Sequence, residues 1–271
     1  MKIILFGSHG YMGTAVTSEC DRRGIPWVTG RRDGIMEVMQ QIKDSHADIA
    51  VNCAAFIPQP TVDQCKNHID STIAGNVWWP SVLRDACEVT GIPIMHVSTG
   101  CLFDEQKEYT EEDTPTRGYA GYCGFYVGTK LLSERVVSHY DKHYILRMRL
   151  PFDEFDNPRN YLNKLASFDK VFEHVNSLTH RGDFAKWALD LWEKKAAFGT
   201  YACVNTGQIS ATGMVMEMAG RGLIPKMPQF VKSPDTTGAR LSNAKLVSAI
   251  GPVRSVHEAV AEALEKWKPK V

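Results

Sequence analysis

The sequence predicts an α/β fold: a Rossmann-like doubly wound parallel sheet with a smaller C-terminal substrate domain. Three observations predict it. An apolar run, Ile3–Phe6, leads directly into Gly7-Ser8-His9-Gly10-Tyr11-Met12-Gly13. Strand-length apolar runs then alternate with helix-length segments over residues 1–150. Pro151 ends that alternation. Strands alternating with helices imply parallel pairing, and right-handed crossovers place helices on both faces.

Taken in order, Ile3–Phe6 is a strand, and the glycine loop turns it into a helix over Tyr11–Arg23. Trp27–Thr29 is the second strand, Met36–Lys43 the second helix and Ile49–Asn52 the third strand. Ile69–Thr90 reads as a long helical region closed by Gly91. Ile94–Val97 is the fourth strand, Tyr122–Tyr140 a helix and Tyr144–Met148 the fifth strand. Residues 1–150 are thus expected to bind a dinucleotide, and 151–271 to form a substrate-binding region with some elements returning to the first domain. Phe152–Asn160, polar and interrupted by Pro158, reads as loop, and Met214–Ala219 as helix. Val256, Val260, Leu264 and Trp267 lie at near-helical spacing, which predicts a C-terminal amphipathic helix packed on the body.

Composition narrows the function. A chain of 271 residues, 44% hydrophobic, can bury a sizeable core. Its 31 basic and 31 acidic residues cancel, so no global charge favours nucleic acid or an acidic membrane. The opening apolar run is too short for a signal peptide, and no run approaches the ~20 residues of a membrane span. Cytoplasmic residence is the expectation. The seven cysteines form no C-x-x-C pair and are odd in number, so neither a metal site nor a disulfide framework is expected.

Three motifs carry chemistry. In the glycine loop, Gly7 permits a tight turn, Gly10 lets backbone approach a pyrophosphate and Gly13 lets helix pack on strand. His9, Tyr11 and Met12 fall in the same cofactor-facing segment, where a helix N-terminus favours phosphate. At the end of the second strand, Arg31 and Arg32 can fork onto a 2′-phosphate, which favours NADPH; Asp33 leaves NADH open. Tyr126 and Lys130 stand one helical turn apart, where an ammonium is expected to lower the phenol's pKa and suit it to proton transfer. Thr99, just past the fourth strand, can hydrogen-bond a substrate carbonyl.

With Asn52-Cys53-Ala54-Ala55 after the third strand and Asn76 in the next helical region, this order of motifs resembles the extended short-chain dehydrogenase/reductase superfamily. Within it, Thr99-Gly100-Cys101-Leu102-Phe103, Glu111–Pro115, Leu146–Pro151, Asn157–Tyr161, Lys164 and Asn176-Ser177 resemble the bifunctional UDP-4-keto-6-deoxyglucose 3,5-epimerase/4-reductases. The dTDP-4-dehydrorhamnose reductases are more distantly similar and carry tyrosine in place of Cys101. The resemblance implies that Asn52, Ala54, Ala55 and Asn76 join the cofactor site, with Tyr126 and Lys130. It implies Thr99, Tyr126 and Lys130 as the reductase trio. It implies Thr99, Gly100, Cys101, Arg159, Asn160, Asn176 and Ser177 as substrate contacts, and a nucleotide sugar as substrate. A homodimer follows by analogy, with the helix over 122–140 contributing.

Chemistry gives Cys101 and Lys164 a rationale of their own. A 4-keto sugar has acidic C–H bonds at C3 and C5, and inverting either carbon needs a base on one face and an acid on the other. Thiol and amine can both be tuned toward neutrality. Which is base and which acid stays open, and His174 is a rival proton shuttle. Arg147 and Arg149 alternate at strand spacing, and one of them can be a structural ion-pair partner. Two other readings stand beside this one: a reductase alone, against which Cys101 argues, and a non-catalytic NADP-binding regulatory subunit, against which the complete trio argues. Ser242 and the segment Pro234–Thr237 depart from the pattern that usually touches the nucleotide base, leaving UDP, dTDP and GDP open.

Overall fold

Six parallel strands build the main sheet: β1 (Ile3–Phe6), β2 (Trp27–Gly30), β3 (Ile49–Asn52), β4 (Ile94–Thr99), β5 (His143–Met148) and β6 (Gly199–Ala202). Their order is β2-β1-β3-β4-β5-β6. The chain leaves β1 for one edge, then crosses back to β3, so a crevice opens at the carboxyl ends of β1 and β3. The computed structural model describes residues 1–104, 107–120, 123–224, 226–232 and 238–267. Tyr122, the expected start of one helix, and the segment Pro234–Thr237 lie outside the described residues.

The helices are α1 (Tyr11–Arg23), α2 (Ile35–Ser45), α3 (Ile69–Ile73), α4 (Trp79–Thr90), α5 (Gly124–Ser138), α6 (Tyr161–Ser167), α7 (Arg181–Glu193), α8 (Ala211–Gly220), α9 (Ala244–Ile250) and α10 (Val256–Lys266). Strand periodicity decides which face each apolar side chain serves. In β1, Ile3 and Leu5 join Val16 of α1, Phe184 and Ala188 of α7 and Leu246 of α9. Ile4 and Phe6 point the other way, to Val38 of α2, Leu83 of α4 and Val137 of α5. Both faces are covered, which is why β1 and β3 read as continuous apolar runs.

The expected helical region 69–90 is interrupted by a π turn at Ala74–Trp78 between α3 and α4. There the missing side chain of Gly75 makes room for Phe56, whose Cβ would lie 2.7 Å from an added Cβ. Downstream, the reading by sequence needs correction. Phe152 is not loop: Pro151–Phe152 pairs in parallel with Thr179–His180. α6, α7 and β6 were not expected. β6 pairs with β5 and α7 packs on α1, so this part of the chain rejoins the main sheet. A second core gathers Phe152, Leu162 of α6, Met214 of α8 and Val260 of α10. The C-terminal stripe Val256, Val260, Leu264 and Trp267 is buried in it. Ser255 starts α10 with a reciprocal capping box to Glu258.

Candidate active site

A cavity of about 660 Å³ lies along the carboxyl edge of the sheet, and its lining includes Gly10, Thr99, Cys101, Tyr126, Arg159 and Lys164. Gly7 turns the chain with φ +83°, and a Cβ there would sit 2.6 Å from the Ala54 nitrogen. A Cβ on Gly13 would sit 2.0 Å from the Gly7 carbonyl oxygen. Glycine is therefore the residue that lets this loop pack on the β3 loop. α1 begins at Gly10 with no side-chain cap and no acid in its first turn. Its positive end thus fits the phosphates of a dinucleotide. Tyr11, Met12 and Ala55 also line the cavity, while His9, Arg31 and Arg32 face solvent.

Several residues expected as ligand contacts are engaged by other parts of the chain in this structure. Asn52, Asn76, Asn160, Asn176 and Ser177 are each at most 1% exposed. The Asn52 Oδ1 accepts from the Ala54 N–H (3.1 Å) and the Trp79 Nε1–H (3.0 Å), holding the β3 loop from beneath. Asn76 brackets Phe56, accepting from its N–H (2.7 Å) and donating to its carbonyl (3.0 Å). The Asn160 amide donates to Asp153 and to the Phe155 carbonyl, while its oxygen caps α6 at the Leu162 N–H. The Ser177 Oγ accepts from the Leu241 N–H (2.9 Å). Asn176 receives the Arg149 guanidinium. Such carboxamides recur near binding loops because they cross-brace backbone, and the motif alone does not separate brace from contact.

Thr99, Tyr126 and Lys130, the trio expected from the sequence, come from two elements. Thr99 ends β4, and its Oγ1 accepts from the Cys101 N–H at 3.1 Å. Tyr126 and Lys130 lie on α5, which Gly128 lets approach Tyr119: a Cβ there would be 2.3 Å from that ring. The expected lowering of the Tyr126 pKa is not seen. Burial, and then the nearby Cys101, push the phenol up, while a hydrogen bond with Thr99 pulls it back. The Lys130 ammonium is engaged elsewhere, donating to the Val97 carbonyl at 2.9 Å. Burial lowers its pKa to about 8.

Behind the trio stands a buried network that the motifs did not reveal. His96 contacts Asn52 (3.0 Å), Ser133 (3.2 Å) and Lys130 (3.2 Å). Arg147 pairs with Glu134 at 2.8 Å and lies over the Phe103 ring, so of the two strand arginines it is the structural ion-pair partner. Two signals were available: Arg147, marked by strand spacing as a candidate ion-pair partner, and His96, a polar residue within the apolar run Ile94–Val97.

Cys101 is half-buried in the cavity wall, and Arg149 Nη1 donates to its Sγ at 2.7 Å. Gly100 permits this turn: a Cβ there would meet Leu241 Cδ1 at 2.4 Å. Lys164, on α6, is half-buried in the same cavity. Burial and then Arg159 lower its pKa, while Cys101 and Cys123 act the other way. Arg159 also donates to the Ile57 carbonyl at 3.0 Å. His174 lines the cavity too, but burial, then Arg149 and Arg117, bring its pKa down to about 4, so it holds no imidazolium proton at neutral pH. The cavity thus joins a phenol and a hydroxyl, suited to a carbonyl oxygen, with a thiol and an amine suited to a carbon-bound proton.

Among the described residues, no helix is long and apolar enough to cross a membrane, and no cluster of His, Cys, Asp and Glu could hold a metal ion.

The chain resembles known proteins along its whole length. The chain is 27% identical over 285 residues to the trifunctional UDP-glucose 4,6-dehydratase/UDP-4-keto-6-deoxy-D-glucose 3,5-epimerase/UDP-4-keto-L-rhamnose-reductase of Arabidopsis thaliana, covering 100% of this chain but only 40% of that protein. It is 29% identical over 223 residues to the bifunctional dTDP-4-dehydrorhamnose 3,5-epimerase/dTDP-4-dehydrorhamnose reductase of the same plant, covering 77% of this chain and 71% of that one. The fold matches the crystal structure of the UDP-rhamnose synthase of Acanthamoeba polyphaga mimivirus with TM-score 0.87 and 21% identity, over 98% of this chain and 99% of that one. The family model for the RmlD substrate binding domain matches residues 1–267, and the chain belongs to that family.

Proposed function

We propose that this protein epimerises a nucleotide-linked 4-keto-6-deoxy sugar at C3 and C5 and reduces its 4-keto group with NADPH. The favoured conversion is UDP-4-keto-6-deoxyglucose to UDP-β-L-rhamnose. One observation carries the reading: Cys101 and Lys164 line the same cavity as Thr99 and Tyr126. The relatives whose printed names pair 3,5-epimerase with reductase support it.

The glycine cradle and the uncapped start of α1 fit a dinucleotide, with Gly7, Gly10, Tyr11 and Met12 holding its phosphates. NADPH, when bound, supplies the hydride for C4. Arg31 and Arg32 stand exposed at the end of β2, free to close on a 2′-phosphate. Thr99 and Tyr126 hold the C4 oxygen, first as an enolate oxyanion and then as the alkoxide that Tyr126 protonates. Cys101 and Lys164 move the protons at C3 and C5. Arg159 suits the diphosphate. Residues 1–150 then serve the cofactor and the second core the sugar nucleotide. A homodimer belongs to the same reading: Ile69, Ile73 and Trp78 are all exposed on adjoining turns beside α5.

The test is Cys101→Ala, assayed with NADPH and two substrates. Turnover of UDP-4-keto-6-deoxyglucose is expected to fall about 100-fold or more, the scale of a lost acid–base group. Reduction of the already epimerised 4-keto sugar should persist. Unchanged turnover of the first substrate sinks the epimerase half.

A further inference from the structure

We propose that Arg149 is a positioning residue that presents the Cys101 sulfur as the proton acceptor, which leaves Lys164 as the proton donor. The inference rests on the epimerase reading above and settles which of its two groups is the base.

Arg149 follows β5 directly and is 5% exposed. A guanidinium carries five N–H donors and no acceptor. Here the donors are divided. Nε and Nη2 converge on the Asn176 Oδ1 at 3.1 and 2.7 Å, and Nη1 points at the Cys101 Sγ at 2.7 Å. Both ends of the arrangement are fixed. The Asn176 Oδ1 also accepts from the Ala239 N–H at 3.0 Å, and the Arg149 N–H donates to Thr179 Oγ1 at 2.9 Å. Cysteine, arginine and asparagine at 101, 149 and 176 thus form one device.

The Cys101 sulfur accepts from a group that has only donors, and a guanidinium held at this distance is a partner suited to a proton-accepting sulfur rather than to a proton-donating one. Lys164 sits in the complementary situation. It is half-buried, and Arg159 beside it favours release of a proton. In each inversion the C–H bond at C3 or C5 breaks and an S–H bond forms on Cys101. The C–H electron pair moves into the enolate, whose oxygen is held by Thr99 and Tyr126. An N–H bond of Lys164 then breaks as its proton joins the other face of the same carbon, and the C4 carbonyl re-forms. The thiol proton passes to solvent and the amine takes one back, which resets the pair for the second carbon.

Two measurements on the full chain test this. The first is alkylation of Cys101 by iodoacetamide at pH 7, located by peptide mass. The second is solvent-deuterium exchange into UDP-4-keto-6-deoxyglucose without NADPH. Arg149→Met is expected to slow alkylation about tenfold or more and to lose exchange to a similar degree. Arg149→Lys, which restores charge but not the fork, should recover part of both. NADPH binding, followed by fluorescence, confirms that each variant is folded. Lys164→Met should still wash deuterium into C3 or C5 with retention, because the base survives, whereas Cys101→Ala should not. If Arg149→Met alkylates and exchanges like the wild type, or if Lys164→Met is silent while Cys101→Ala exchanges, the assignment of Arg149 and of the base is overturned and the epimerase reading stands. If the wild type itself exchanges nothing, the epimerase reading fails, and this inference with it.

Discussion

At Lys130, a few hydrogen bonds decide a protonation state. The Asn52 Oδ1 takes two N–H donors, so its amide nitrogen faces His96. The His96 Nδ1 must then accept, and burial keeps the ring neutral, so Nε2 carries the proton. Ser133 spends its own hydrogen on the Lys130 carbonyl and can accept from that Nε2–H. Lys130 Nζ, 3.2 Å from Nε2, therefore faces an N–H rather than a lone pair. Burial disfavours the charged form more than the nearby Glu134 favours it, in keeping with a pKa lowered to about 8. The sign for stability follows from linkage. Below pH 8 the folded chain keeps a buried ammonium that the unfolded chain hydrates. That cost is relieved as pH rises from about 8 toward the ordinary lysine value of 10.5, so this group's contribution to stability improves across that window. Activity moves the other way. The kcat/KM for keto reduction should fall as pH rises through about 8, because Lys130, one of the three residues proposed for the reduction, loses its charge there. Initial rates from pH 6 to 10 check this, and a flat profile to pH 10 contradicts it.

The elements show what sequence can and cannot announce. β1, α1 and β3 have the bounds expected of them, because an apolar run, a glycine turn and a left-handed Gly24 closing the helix all act locally. β6, Gly-Thr-Tyr-Ala, has no such signature. It is a strand because β5 offers an open edge to a short segment delivered by α7. The candidate site divides in the same way. Thr99, Cys101 and Tyr126 stand out by chemistry and spacing and Lys164 by the family resemblance, and all four line the cavity. Asn52, Asn160 and Asn176 were legible as important but not as braces, since the partners that occupy them come from distant parts of the chain. Two predictions belong here. Gly7→Ala forces a Cβ onto the Ala54 backbone at positive φ, and should weaken NADPH binding by about tenfold or more, measured by fluorescence titration. Ser255→Ala removes one half of the α10 capping box and should cost about 1 kcal/mol in urea unfolding with an unchanged slope.

On the scale of the whole molecule, one cavity takes its wall from two cores. Gly10, Thr99 and Tyr126 come from the sheet edge, and Lys164 from α6 of the second core. Arg181 ties the parts together: it bonds the Tyr11 carbonyl at 2.7 Å, pairs with Asp153 at 2.6 Å and lies over the Tyr11 ring. The start of α1 is thus pinned to the segment that precedes α6. The exposed apolar residues beside α5 carry the proposed self-association. Trp78→Glu should convert the dimer to a monomer in sedimentation, and a wild type that already sediments as a monomer contradicts that proposal.

The central claim, that one cavity epimerises before it reduces, is tested most directly by one incubation. The wild-type protein is mixed with NADPH and UDP-4-keto-6-deoxyglucose in deuterated water, and the reduced sugar is analysed by NMR. Deuterium is expected at both C3 and C5, with a protium at C4 delivered by the cofactor. A reduced product with no deuterium at either carbon contradicts it.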